Sequence, residues 1–282
     1  MITPNRPVPP AEIAAHYDEL DVFYRELWGE HVHHGLWRGG KETPEEATLS
    51  LVDLVAELAC IEPGDALCDI GCGYGATARR LASHYGAQVT AMTITPAQYQ
   101  FARSADSGSK NPVYLLRDWQ ENCLGTASYD AAIAIESMSH MTDKHRALTE
   151  AARVLKPSGR LVLCVWLAAD HTSPWAVRHL LEPICTEGRL PGLASEADYR
   201  DLLKATGFEL TMFEDASRQV RRTWTICIAR ALKAIITDPK LRRFLMNSKM
   251  RNRAFFWAMF RILAAYHAGA MRYGIFGARK TS

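Results

Sequence analysis

Apolar positions along the chain recur with a helical period in some stretches and form short continuous runs in others. Thr43-Pro44-Glu45-Glu46 has the form of a helix start: Thr43 can cap, Pro44 suits the first turn, and Glu46 completes a capping box. Leu51, Val52, Leu54, Val55 and Leu58 supply the apolar face that follows. After Glu62-Pro63-Gly64-Asp65, the run Ala66 to Cys68 reads as a buried strand ending at Asp69, then a glycine-rich turn and a helix from about Ala76. The alternation repeats through strand Gln88 to Met92, a helix from Pro96, and strands Val113 to Leu116 and Ala131 to Ile135. Helix Lys144 to Leu155, a turn at Pro157-Ser158-Gly159 and strand Leu161 to Trp166 come next. Buried strands separated by amphipathic helices predict an α/β fold with a parallel sheet covered on both faces.

Ser195-Glu196-Ala197-Asp198 opens another helix that stops at Gly207, followed by strand Glu209 to Phe213 and a last strand candidate, Tyr273 to Ala278. Residues 216 to about 270 show no strand pattern, so they read as a helical insertion on the end of the sheet. Charge divides at the same place. The 282 residues carry a formal charge of only +2, yet the chain through Asp215 sums to −12 and the remainder to +14. The two parts should do different jobs.

A content of 48% hydrophobic and 23% charged residues is that of a globular protein with a sizeable core, and excludes a disulfide mini-protein or a disordered tail. Seven cysteines with no C-x-x-C pair read as free thiols in a reducing compartment. Met1 to Pro10 has no signal core, and no apolar run is long enough to span a bilayer, so a cytoplasmic location is expected.

The chemistry concentrates at Asp69-Ile70-Gly71-Cys72-Gly73-Tyr74-Gly75, between the first strand and its helix. Glycines let a backbone turn sharply and approach a ligand, and a helix N-terminus offers free N–H groups to an anion. A purely structural turn reads the same way. Asp69 would repel a pyrophosphate but could pair with an ammonium, and the dinucleotide spacing G-x-G-x-x-G is absent. A ligand carrying both an amine and a carboxylate fits this better than NAD does.

At these residues the sequence resembles the class I S-adenosylmethionine-dependent methyltransferases, and most of all their tocopherol C-methyltransferase-like branch. The resemblance runs through Trp28-Gly29-Glu30-His31-Val32-His33-His34-Gly35-Leu36-Trp37, the loop at 69–75, Thr93-Ile94-Thr95-Pro96-Ala97-Gln98 and Glu136-Ser137-Met138-Ser139-His140-Met141, then Ser173-Pro174-Trp175 and Tyr273-Gly274-Ile275. It implies a Rossmann-like, seven-stranded sheet with the last strand antiparallel, a lid over residues 1–42, and a methyltransferase domain over 43–282 carrying the helical cap at about 216–270. It implies S-adenosylmethionine as cofactor, with Gly71, Cys72 and Gly73 passing under the methionine part and Asp69 near its amino group. Thr93 and Ile94 stand where the wider superfamily has a ribose-binding acid, which leaves Gln98 as the ribose partner, with Thr95 capping the helix that Pro96 begins. Asp118 would accept from the adenine amine and Trp119 would lie against the ring or simply pack in the core. Tyr17 and His34, from the lid, and Glu136 would contact the cofactor as well.

Methyl transfer asks the protein to align the acceptor, exclude water and, where needed, remove a proton. Glu136 and His140 lie just past the fourth strand, at the edge where open α/β sheets hold ligands. Glu136 could orient His140 as a base, or could merely fix the loop beside a packed histidine. His31, His33 and His34 lack a partnering cysteine or carboxylate at zinc-like spacing, so no metal is expected.

Arg218, Arg221, Arg222, Arg230, Lys233, Lys240, Arg242, Arg243, Lys249, Arg251 and Arg253 precede Phe255-Phe256-Trp257 in the cap. They read either as a solvated face or as a contact with an anionic membrane anchored by the aromatics; no nucleic-acid motif accompanies them. The expected reaction is methylation of a small hydrophobic aromatic or isoprenoid acceptor at carbon, by a monomer or homodimer. N- or O-methylation of an alkaloid or phenol, and a non-catalytic cofactor-binding protein, are the alternatives.

Overall fold

Seven strands form one sheet in the order β3-β2-β1-β4-β5-β7-β6, and the computed structural model describes residues 1–239, 242–243 and 254–281 around it. β1 (Ala66–Ile70), β2 (Gln88–Thr93), β3 (Val113–Leu116), β4 (Tyr129–Ile135) and β5 (Leu155–Ala168) run parallel. β7 (Met271–Lys280) lies antiparallel between β5 and β6 (Phe208–Asp215). The chain reverses direction across the sheet at β1, whose neighbours are β2 on one side and β4 on the other, so the loops leaving β1 and β4 diverge and open a crevice.

The helix starts follow their local chemistry. α3 (Pro44–Leu58) has the expected capping box, in which Glu46 N donates to Thr43 Oγ1 and Thr43 N to Glu46 Oε2. α9 (Glu196–Ala205) begins with a second one at Ser195 and Asp198. α4 (Ala76–Ser83), α5 (Pro96–Ala105) and α6 (Lys144–Val154) cover the sheet, and buried Leu51, Val55, Leu81, Leu148 and Leu203 seal its two faces. The turn expected at Pro157 to Gly159 falls inside β5 as an irregularity: Ser158 has φ +60°, and pairing with β4 jumps from Leu155 to Arg160.

Two helical stretches escape the periodicity. α1 (Pro10–Glu19) and α2 (Asp21–Leu27) occupy the N-terminal segment. Between β5 and α9, α7 (Pro174–Ala176) runs through a π-helical turn at Val177–Leu181 into α8 (Glu182–Glu187). Pro183 offers no N–H and its ring crowds the carbonyl four residues back, so the turn widens there. The inserted segment holds α10 (Ser217–Val220), α11 (Arg222–Thr237) and α12 (Phe255–His267). Among the described residues no helix is long and apolar enough to cross a membrane.

Residues 1–42 lie over the open edge of the sheet and are tied down on two sides. Asp18 Oδ1 accepts from Ala97 N at the start of α5 (3.0 Å), Tyr74 Oη donates to Asp21 Oδ1 (2.8 Å), and Arg79 pairs with Glu30 (2.8 Å). Against the insertion, Gly35 N donates to Thr223 Oγ1 (3.0 Å), Trp37 N to Gln219 O (3.1 Å) and Arg230 Nη1 to Leu27 O (2.7 Å). The Asp18 contact corrects one expectation. Thr95 sits at the N-cap of α5 without a side-chain cap bond, and the free N–H of the first turn is met by a carboxylate from α1 instead.

Candidate functional site

At the C-terminal ends of the strands a cavity opens with a mainly apolar wall. Gly71, Gly73, Thr93, Ile94, Gln98, Asp118 and Trp119 line its floor, and Glu136 and His140 its inner side. Tyr17 and His34 meet them from the N-terminal segment, and Trp224 and Ile262 from the insertion. Asp69 and Cys72 stand just outside that lining. Asp69 stands next to last in β1 with Oδ2 buried and without a hydrogen-bond partner, and burial pushes its pKa up to about 7. Cys72 is half-buried and donates its N–H to Met92 O (2.7 Å), which fixes the loop to β2.

The loop's glycines are there for different reasons. Gly71 has φ +79°, and a Cβ on it would lie 2.3 Å from Ser137 Cβ, so the β1 and β4 loops touch only because it has none. Gly73 has φ +54°, but a Cβ there would meet no atom within 4 Å. Its open side faces the cavity.

Beyond Ile94, Thr93 Oγ1 donates to Gln98 Oε1 (2.8 Å), turning the Gln98 amide so that its NH2 remains a donor. Asp118 Oδ1 accepts from Gln120 N (2.8 Å) and caps the short turn Trp119–Glu121. Trp119 is buried, with its indole N–H on Ala147 O (2.9 Å), so packing and cavity lining hold together there.

Glu136 is the most heavily bonded side chain of the site. It leaves β4 with φ +61°, and its Oε1 accepts from His34 N (2.7 Å), His34 Nδ1 (2.9 Å) and Tyr273 Oη (2.9 Å), while Oε2 accepts from Trp166 Nε1 (2.9 Å). Burial opposes its charge, but the His34 imidazole and the donors around it outweigh that and hold its pKa down to about 2. The carboxylate is therefore spoken for, and the expected pairing of Glu136 with His140 does not form.

His140 pairs with Tyr17 instead. Its Nε2 lies 2.8 Å from Tyr17 Oη, and the two rings meet edge to face at 5.3 Å between centroids. Burial pushes His140 down to about 4 and drives Tyr17 well above the usual phenol value, so the pair is a neutral imidazole and a neutral phenol. Tyr17 also stacks on Tyr24 at 5.2 Å. Among the described residues no three His, Cys, Asp or Glu side chains gather as a metal-binding set, and His31 Nδ1 and His33 Nε2 lie 3.1 Å apart on each other.

Comparison with known proteins decides what kind of site this is. The profile of the mycolic acid cyclopropane synthetase family matches residues 7–237. The chain belongs to this family of S-adenosylmethionine-dependent methyltransferases. The 27-O-demethylrifamycin SV methyltransferase of Amycolatopsis mediterranei is 35% identical over 221 residues, covering 77% of this chain and 80% of its own. The chloroplastic tocopherol O-methyltransferase of Arabidopsis thaliana is 26% identical over 291 residues, covering 95% and 81%. A mycolic acid cyclopropane synthase solved with SAH and CTAB superposes with a TM-score of 0.84 at 21% identity, covering 96% and 98%. The [4+2]-cyclase SpnF does so at 0.81 and 24%, covering 100% and 98%, so the fold alone does not name the reaction.

The residues of this methyltransferase fit its cofactor. The unpaired buried oxygen of Asp69 calls for a cation, which the amino group of S-adenosylmethionine carries, and the bare Gly73 leaves room for the chain beside it. Sequence reasoning missed Trp166, Trp224 and Tyr273, which fix Glu136 and His34. No local signal marked them, because Trp166 and Tyr273 come together only where β7 pairs with β5.

Proposed function

We propose that this methyltransferase methylates a small hydrophobic aromatic or isoprenoid-type natural product at an ionisable oxygen. The observation that carries the reading is His140, a neutral imidazole with Nε2 directed at a phenolic hydroxyl inside an aromatic-walled cavity. S-adenosylmethionine supplies a methyl group already activated by its sulfonium. The protein's share is to hold the acceptor in line, keep water out and accept the acceptor's proton at His140 Nε2. Trp166 and Trp224 point their N–H groups at Glu136 and His34, so the cavity meets their apolar surfaces. Several relatives bear O-methyltransferase names, which moves the preference from the carbon expected at first to oxygen. Carbon methylation beside such an oxygen stays the second reading, because deprotonation of the same hydroxyl would activate the ring carbon.

In this reading Asp69, Gly71 and Gly73 hold the methionine part, Gln98 the ribose and Asp118 with Trp119 the adenine. Residues 1–42 form a lid that opens for both ligands, since Tyr17 and His34 close the cavity from above. A panel of a prenylated hydroquinone, a simple phenol and a prenylated indole, with radiolabelled S-adenosylmethionine, tests it: label on oxygen supports it, and transfer to none of the three by the wild type removes it.

The outer side of the insertion supports an enzyme that touches an anionic membrane to collect a lipophilic acceptor. Ile236 and Trp257 are 75% and 62% exposed and Lys233 and Arg243 are solvent-facing, whereas Phe256, expected as an anchor, is 7% exposed and packs in the core. Arg222 and Arg230 are held by the backbone carbonyls of Gly40 and Leu27. Lys240, Lys249, Arg251, Arg253 and the side chain of Phe255 lie outside the described residues.

A further inference from the structure

The base reading leaves a geometric problem. A neutral imidazole has one in-plane lone pair, and Tyr17 Oη already occupies it at 2.8 Å from His140 Nε2. The remaining nitrogen, Nδ1, is buried beside the Arg189 backbone, away from solvent. Tyr17 is not placed to swing aside within a closed site. Its ring is stacked on Tyr24 at 5.2 Å, meets His16 edge-on at 5.5 Å and His140 edge-on at 5.3 Å. Having donated its proton to Nε2, the Tyr17 oxygen keeps acceptor capacity, and Tyr17 lines the cavity.

We propose that Tyr17 relays the acceptor's proton to His140, making it a catalytic residue rather than only a lid contact on the cofactor. The proposal rests on the proton-accepting role given to His140 above. As the acceptor O–H passes its proton to Tyr17 Oη, Tyr17 passes its own to His140 Nε2. The electron pair left on the acceptor oxygen forms the new C–O bond while the C–S bond breaks, giving the methyl ether and S-adenosylhomocysteine, and the imidazolium then returns its proton to solvent. The strongly raised phenol value of Tyr17 fits a hydroxyl that exchanges one proton for another and does not rest as a phenolate. It also ties chemistry to lid closure, because Tyr17 is on α1 and reaches His140 only when α1 is docked.

The groups facing His140 besides Tyr17 are Lys144 from α6, Glu136 from the β4 loop and the Arg189 backbone after α8. Lys144 lowers and Glu136 raises the imidazole's proton affinity, and neither changes in a Tyr17→Phe variant. That variant keeps the ring and loses only the hydroxyl. We expect kcat to fall at least about tenfold, the dissociation constant of S-adenosylhomocysteine to stay within about twofold of wild type, and the His140 imidazole, followed by NMR, to titrate at higher pH because a donor to its neutral form is gone. An unchanged kcat with weakened S-adenosylhomocysteine binding would overturn the relay and leave Tyr17 a cofactor contact. His140→Ala separates the two levels of the argument. If it turns over like wild type, the base itself is wrong and the relay falls with it; if it is slow while Tyr17→Phe is fast, only the relay is wrong.

Discussion

Trp224 donates its indole N–H to His34 Nε2 across 2.6 Å, and this bond decides the direction of the hydrogen bonds around Glu136. With Nε2 accepting, the His34 proton resides on Nδ1 and is donated to Glu136 Oε1. One residue each from the N-terminal segment and the insertion, two from the sheet and the carboxylate of the β4 loop thus form one closed network. Glu136→Gln places an amide NH2 among groups that all donate, and leaving buried donors without their acceptor in this way costs about 1–3 kcal/mol. Urea unfolding is expected to show that loss; a change below about 1 kcal/mol would mean that the network is not what closes the lid.

The two loop glycines separate folding from binding. Gly71→Ala forces φ +79° on a side chain whose Cβ would lie 2.3 Å from Ser137 Cβ, so it is expected to lose about 2 kcal/mol or more of stability. Gly73→Ala meets no atom and should cost about 1–2 kcal/mol for its backbone alone. It should nevertheless weaken S-adenosylhomocysteine binding at least tenfold, because its methyl enters the space assigned to the ligand. Wild-type affinity in Gly73→Ala, measured by calorimetry, would put the ligand elsewhere.

If Asp69 meets the amino group of S-adenosylmethionine, as proposed, cofactor binding is a proton-linked event. Burial raises the Asp69 pKa to about 7, above the unfolded value of roughly 3.9. Between those values the folded protein holds a proton that the unfolded chain has lost, so this group's contribution to stability falls as pH rises through that window and levels off above about 7. An arriving ammonium favours the carboxylate. Titration with S-adenosylhomocysteine near pH 6.5, in buffers of different ionisation enthalpy, should show release of up to about one proton, and Asp69→Asn should release none. Equal proton release by the variant would assign the linkage to another group.

The insertion's outer face gives a fourth expectation. If Lys233, Arg243 and Trp257 face an anionic bilayer, each cation adds roughly 1 kcal/mol of attraction. The protein should then co-sediment with phosphatidylserine vesicles at low salt and not with phosphatidylcholine ones, and Trp257→Ser should weaken binding. No sedimentation at low salt removes the membrane contact.

Local patterns carried the sheet, because parallel strands are continuous apolar runs and the capping boxes at Thr43 and Ser195 mark helix starts without help from the rest of the fold. They also drew attention to Asp69, Gly71, Gly73 and His140, whereas Gln98 came only with the family resemblance. The Glu136 network lay out of their reach: Trp166, Trp224 and Tyr273 are ordinary aromatic positions until β7 inserts beside β5 and sets Tyr273 against Trp166. The same holds for the real partner of His140. Glu136 was nearer in sequence, but Tyr17, 123 residues away, is the group that docks on it once α1 lies over the edge of the sheet.

The claim on which the functional reading turns is that His140 accepts the acceptor's proton. The most direct measurement is single-turnover methyl transfer by wild type and His140→Ala, with the acceptor that the panel identifies. A loss of about 100-fold or more in rate, at unchanged S-adenosylhomocysteine affinity, is expected, with the wild-type rate falling only as pH drops toward the His140 value of about 4. Equal rates for the two proteins would contradict it.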